Sequence, residues 1–340
     1  MSHWAARSLA TIRKKELPTA AMDFRPLPFL SNPHLQTLLG TFWDGRIPYF
    51  PTRERQIILP DGDRLVLHDS RPANWRRGDP IALLIHGLGG THASGYMRRV
   101  TALLLPHGIR VVRMDMRGCG RGAALSRQTY NGASSRDIRA AAEELGHWSP
   151  SSPIIVVGFS LGGNIVLKLA GEAADHRLPG LNRVVALAPP IDLVRCAALI
   201  SSPRNRLYER HFVRNMIIQV RTHQRHFPDL PAVRIPYQAT LREFDDLYTA
   251  PRGGFADAAD YYRRASSLPL VPRIQVPTLI LTARDDPFIA VEPFEELRVP
   301  SHIEVQISRQ GGHLGFLGRD RAGGVRWAER RVTDWVMQCY

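Results

Sequence analysis

The chain is sparing with cysteine: Cys119, Cys196 and Cys339 are odd in number, far apart, and form no C-x-x-C pair. That excludes a disulfide framework and offers no zinc-ligand spacing, so a reducing compartment is expected, the cytoplasm above all. Long apolar runs are missing as well. No stretch approaches the ~18 uncharged apolar residues of a membrane-spanning helix. The amino-terminal MSHWAARSLATIRKKELPTA is basic and lacks the continuous apolar core of a secretory signal. Its Arg-rich, acid-free start would also suit a transit peptide in a eukaryotic source. Internal repeats and low-complexity tracts are absent.

Acidic residues are in short supply, 31 against 45 Lys and Arg, for a formal charge of +14. Such a charge brings nucleic acid or an anionic membrane to mind. The arginines are scattered, however, and the densest clusters, Arg13 to Lys15 and Arg204 to Arg214, belong to no nucleic-acid module. A solvated basic surface is therefore expected, with no nucleic-acid partner and at most weak association with anionic membranes. With 340 residues, 44% hydrophobic and 22% charged, the chain can bury one large α/β domain with an insertion. Oligomeric state leaves no mark on it.

In order along the chain, residues 18–53 are rich in Pro and aromatics and too apolar for a free tail. They predict an irregular arm packed on the domain, with one short helix near His34 to Leu39. Strands over Gln56 to Leu59 and Arg64 to His68 flank the turn residues Pro60-Asp61-Gly62-Asp63, which predicts an antiparallel hairpin. From Pro80 on, buried apolar runs alternate with amphipathic segments, the pattern of a mostly parallel sheet covered by helices on both faces. The strands are Ile81 to Ile85, Arg110 to Met114, Ile154 to Val157, Arg183 to Leu187, Thr278 to Thr282 and Ile303 to Ile307. Helices are expected over Tyr96 to Leu105, Ser135 to Leu145, Leu161 to Ala173 and Gly323 to Met337. Between Pro189 and Val276 the alternation stops, with a helical stretch over Arg195 to His226. A segment this long after the sixth strand predicts a cap over the carboxyl edge of the sheet. The expected divisions are an arm over 1–53, a first core part over 54–188, a cap over 189–275 and a second core part over 276–340.

The chemistry centres on Pro153 to Leu169, PIIVVGFSLGGNIVLKL, which reads as strand, sharp turn and helix with Ser160 at the turn. Gly158 and Gly162 complete a G-x-S-x-G, which by itself turns up by chance roughly one time in ten in a chain of this length. A serine nucleophile needs a base and an orienting carboxylate, and in this architecture they follow in the order acid, then histidine, at strand carboxyl ends. Asp285 and Asp286 follow the strand VPTLILTA, and physics leaves the choice between them open. Of the histidines beyond them, His302 opens a strand at its wrong end, whereas His313 in RQGGHLGF follows it. Oxyanion donors would be the backbone N–H of Leu161, at a helix start, and of Leu88 in His86-Gly87-Leu88-Gly89-Gly90. His86 reads as a structural histidine bonded to backbone. Tyr248, Phe255, Tyr261 and Tyr262 could line an acyl pocket or form cap core, and core is the favoured reading.

These pieces resemble the α/β-hydrolase superfamily and, within it, the YheT-like family. The resemblance runs through NPHLQTLLG, HGLGG, DMRGCGRG, GFSLGGN, FDDLYTAPRGGFADAADYYRRAS, DDPF and GGHLGF. It implies a Ser160, Asp286 and His313 triad, the acid being Asp286 because Pro287-Phe288-Ile289 follow it. It further implies hydrolysis of small-molecule acyl esters through an acyl-enzyme, without metal or organic cofactor. A thioesterase, a peptidase or a non-catalytic binding protein on the same fold are the alternatives.

Overall fold

The computed structural model describes residues 24–338. Arg13 to Lys15, the basic amino-terminal segment, the first part of the arm and Cys339 lie outside the described residues. Among the described residues the strands β1 (Arg53–Ile58), β2 (Arg64–Ser70), β3 (Ile81–Ile85), β4 (Arg110–Asp115), β5 (Ile154–Phe159), β6 (Leu181–Leu187), β7 (Thr278–Ala283) and β8 (Ile303–Ser308) form one sheet. Its order is β1-β2-β4-β3-β5-β6-β7-β8. The β1–β2 hairpin and the β2–β4 pair are antiparallel, and every pairing from β4 to β8 is parallel.

Strand side chains alternate between the two faces, so each central strand feeds two cores. Ile81, Leu83 and Ile85 of β3 face one core with Ile154 and Val156 of β5, under helices α3 (Ser135–Trp148) and α4 (Leu161–Glu172). Ala82, Leu84, Ile155 and Val157 face the other, under α2 (Gly95–Leu104) and α11 (Trp327–Met337). After β3 the chain crosses to β4 on one side and then returns to β5 on the other. That topological switch point opens a crevice at the carboxyl ends of β3 and β5, where α/β sheets place their ligands.

The amino-terminal arm crosses this carboxyl edge. Helix α1 (Pro33–Phe42) is capped by Asn32, whose side chain accepts from the His34 and Leu35 amides. It is longer than His34 to Leu39. The arm is pinned by Phe24, packed on Phe316 and Trp327 at centroid distances of 5.4 and 5.5 Å.

Between β6 and β7 lie α5 (Leu193–Ile200), α6 (Arg206–His226), α7 (Leu241–Phe244), α8 (Ala250–Gly253) and α9 (Ala258–Ala265). The sequence pattern predicts a helical stretch over Arg195 to His226, and α5 and α6 fill it in two pieces. The chain breaks at Pro203, which cannot donate to a helix interior and starts a 3-10 turn over Pro203–Asn205. Tyr248 packs with Val213, Met216, Ile217 and Phe244 in a small core of this segment's own, whereas Tyr261 and Tyr262 join the main core. The carboxyl-terminal helix begins at Trp327 rather than Gly323, because Asp320 holds Ala322 and Gly324 in a turn. The short α10 (Glu292–Glu296) follows β7. No helix among the described residues is long and apolar enough to cross a membrane.

Candidate active site

Ser160 sits between β5 and α4 at φ 51° and ψ −124°, a conformation that β-carbon sterics penalise and that exposes a side chain at a sharp turn. The turn closes because Gly158 and Gly162 lack side chains. A Cβ at Gly158 would lie 2.3 Å from the Gly162 carbonyl oxygen, and one at Gly162 would lie 2.4 Å from that of His86.

The loops after β7 and β8 bring the other predicted residues to it. His313 Nε2 lies 2.9 Å from Ser160 Oγ, and His313 Nδ1 lies 2.8 Å from Asp286 Oδ2. A carboxylate only accepts, so Nδ1 carries the proton and Nε2 is left to accept from the serine hydroxyl. The second oxygen of Asp286 accepts from the amides of Phe288 (2.8 Å) and Ile289 (3.2 Å) and fixes the carboxylate. Asp285 points elsewhere: its Oδ1 accepts from the Gly312 amide at 2.9 Å. Burial, opposed by that bond, raises the Asp285 pKa, with the neighbouring Asp286 charge adding to the rise. The two acids that the sequence leaves equivalent thus divide, one facing the histidine ring and the other its loop.

Leu88 lies in the loop after β3, and Leu161 opens α4. Among the described residues neither backbone N–H meets a partner inside the chain, and Gly87 stands beside Ser160, where an added Cβ would be 3.0 Å from the serine Cβ. The loop is held by hydroxyls: Tyr96 Oη accepts from the Gly87 amide (3.0 Å) and Tyr130 Oη from the Gly89 amide (2.8 Å). His86 bonds only to backbone, donating from Nδ1 to the Gly87 carbonyl (2.8 Å) and accepting at Nε2 from the Met116 amide (3.2 Å). Burial pushes its pKa down and keeps it neutral.

Several supports escaped the sequence reading. The His313 amide donates to Thr37 Oγ1 of α1 at 2.9 Å, and the buried Gln36 side chain spans Leu30 and Leu317. Both lie in NPHLQTLLG, a stretch whose residues carry no chemistry of their own. Asn164 of α4 donates to the carbonyls of Gly132 (3.0 Å) and Ala265 (2.8 Å) and accepts from the Ser267 amide (2.9 Å), tying the end of the inserted segment to the core. One side-chain N or O atom each of His68, His92 and Asp115 lie within 4.8 Å of one another.

A mostly parallel sheet with a serine on the β5–α4 turn and an acid and a histidine after β7 and β8 defines an α/β-hydrolase. A model of the Alpha/beta hydrolase family matches residues 82–325, and the chain belongs to that family. Among its relatives, YheT of Escherichia coli (strain K12) is 31% identical over 327 residues, covering 94% of each chain. Phospholipase ABHD3 of Mus musculus is 26% identical over 319 residues, 91% of this chain and 77% of that one. Among solved structures, the Pyrococcus furiosus esterase Pf2001 shares the fold with a TM-score of 0.54 at 18% identity, covering 84% of this chain and 92% of its own.

Proposed function

We propose that this carboxylic ester hydrolase cleaves acyl esters with Ser160 as nucleophile, His313 as general base and Asp286 as the residue that orients the imidazole. The observation that carries the reading is the relay from Ser160 Oγ to His313 Nε2 at 2.9 Å and from Nδ1 to Asp286 at 2.8 Å. His313 takes the hydroxyl proton, the alkoxide attacks the ester carbonyl, and the amides of Leu88 and Leu161 hold the oxyanion. The imidazolium then protonates the leaving alcohol. Water, deprotonated by the same nitrogen, releases the acid from the acyl-enzyme.

In this reading residues 189–275 act as a cap over a core of 54–188 and 276–340, with residues 1–53 as an arm across its edge. Support comes from α6: Tyr208 and Phe212 pack on Phe288 at 4.8 and 5.1 Å, and Phe288 stands edge-on to the His313 ring at 5.0 Å. An apolar wall beside the nucleophile suits an acyl chain, as do the names of the phospholipase and esterase relatives. A cytoplasmic location goes with it, supported by the free, buried thiols of Cys119 and Cys196.

The test is a panel of p-nitrophenyl esters of graded chain length with fluorophosphonate labelling alongside. Turnover and labelling are expected in the wild type, with both abolished in Ser160→Ala. Undiminished labelling of Ser160→Ala overturns the assignment. Thioesters and peptides in the same panel separate the other acyl-transfer classes.

A further inference from the structure

A second concave site lies on the β1–β2–β4 side of the sheet. A cavity of about 440 Å³ is lined by Glu54, His68, His92, Arg98, Arg113 and Arg121, so one acid faces three arginines and two imidazoles. Glu54 is already paired with Arg121 at 3.2 Å. Arg98 and Arg113 meet no carboxylate at ion-pair distance among the described residues. Arg113 is buried. Its Nη1 donates to the His92 carbonyl (2.9 Å) and its Nη2 to Thr52 Oγ1 (3.0 Å), while its Nε has no partner. A buried guanidinium that no carboxylate bonds, with one N–H unpartnered, is stabilised by an anion that enters and accepts from it.

Behind the cavity wall, Asp115 is fully buried and its oxygens are taken. They accept from His68 Nε2 (2.9 Å), His92 Nδ1 (2.8 Å) and the amides of His92 (2.7 Å) and Arg121 (3.0 Å). Burial pushes the Asp115 carboxyl up, but the donors from His68 and His92 outweigh it and hold the group well below the ordinary carboxylate range. The same three residues could be read as a divalent-cation site. Their geometry opposes that. The two imidazoles are stacked with centroids 3.4 Å apart and 12° between planes, so their in-plane lone pairs run in separate sheets and do not meet at one ion. Three arginines around the opening oppose a cation further.

We propose that this cavity is an anion site that takes a phosphate-class oxyanion, with Arg98 and Arg113 as its donors. Its volume leaves room for an organic substituent on the phosphate. His92 lies on the loop that also carries Leu88, but the binding claim depends on no role for that residue or for Ser160.

The full-length protein is titrated calorimetrically with inorganic phosphate and with glycerol phosphate, and is sedimented with phosphatidylcholine vesicles with and without phosphatidic acid. Saturable phosphate binding is expected. Arg98→Gln, which removes no bond within the chain, weakens it about tenfold or more at unchanged thermal stability. Arg204→Gln, an exposed arginine elsewhere, leaves it unchanged. Binding of soluble phosphates without vesicle retention assigns a free phosphorylated compound. Retention that needs phosphatidic acid and is lost in Arg98→Gln assigns a lipid headgroup. Phosphate binding that is absent, non-saturable or indifferent to Arg98→Gln overturns the proposal, as does stoichiometric zinc binding abolished by His92→Ala in a protein that ignores phosphate.

Discussion

Asp285 and Asp286 are adjacent and chemically identical, yet their oxygens serve different atoms, one the Gly312 amide and the other the imidazole of His313. Substitution should separate them. Asp286→Asn replaces an acceptor with a group that can present its N–H to Nδ1 and so favour the wrong tautomer. kcat for p-nitrophenyl esters is expected to fall by about 10⁴, the scale seen when a triad carboxylate is neutralised in other serine hydrolases. Asp285→Asn keeps an amide oxygen for Gly312 and is expected to stay within about tenfold of the wild type. Equal losses in the two variants would contradict the geometry. Thr37 acts at one remove. Thr37→Val leaves the His313 amide without its acceptor and is expected to cost about 1–3 kcal/mol in urea unfolding, with kcat lowered more than KM is raised. The sequence told where the serine and the histidine stand, since both sit in glycine-marked turns after apolar strands. Choosing between the acids by physics needed side-chain direction, which adjacent positions do not encode.

At the scale of elements, the segment from α7 to α8 is one helical run interrupted by a π turn over Asp245–Thr249. The turn buries Asp245 against Tyr262, whose hydroxyl donates to Oδ2 at 2.6 Å. Burial pushes the Asp245 carboxyl up to about 6. A pKa raised on folding means that the protonated form is favoured in the native state. Its contribution is therefore fully present below about pH 4 and is lost as pH rises through 6, a change on the order of 3 kcal/mol. Asp245→Asn keeps an acceptor for Tyr262 and removes the titration. The difference in unfolding free energy between wild type and variant, measured from pH 4 to 8, should grow in the variant's favour across that window. A difference that does not vary with pH would show that Asp245 titrates normally. Here the sequence was half legible. The sequence marked the helical region over Arg195 to His226, but the break at Pro203 and the π turn follow from local backbone competition that a coarse helical pattern does not register.

At the scale of the molecule, distant segments are joined by buried charge. Arg117, from DMRGCGRG, donates to Asp61 (2.6 Å) and Asp63 (2.6 Å) in the β1–β2 turn and to Asp137 of α3 (2.9 Å). The aspartates of Pro60-Asp61-Gly62-Asp63 read as turn residues, and they are, but two of their oxygens also lock the hairpin to the sheet's helical layer. Arg117→Ala strands carboxylates that the fold has buried and is expected to cost about 3–5 kcal/mol. A guanidinium chloride midpoint within error of the wild type would refute that role. Ester hydrolysis should survive in the folded fraction, because the ion-pair partners of Arg117 are Asp61, Asp63 and Asp137 and not Ser160, Asp286 or His313.

The sequence by itself determined the class of fold, the order of strands and helices, and the positions of Ser160, Leu161 and His313 at strand ends. Those features depend on hydrophobic period and on glycine at tight turns, which are local properties of the chain. The resemblance singled out Asp286, but the contact of that acid with His313, and the bracing of the histidine loop by α1, are features of the tertiary structure alone. It alone also gathered Arg98, Arg113, His68 and His92, from β2, β4 and α2 with the loop before it, around one cavity. Each of these depends on contacts between residues tens to hundreds of positions apart, and no local pattern records them.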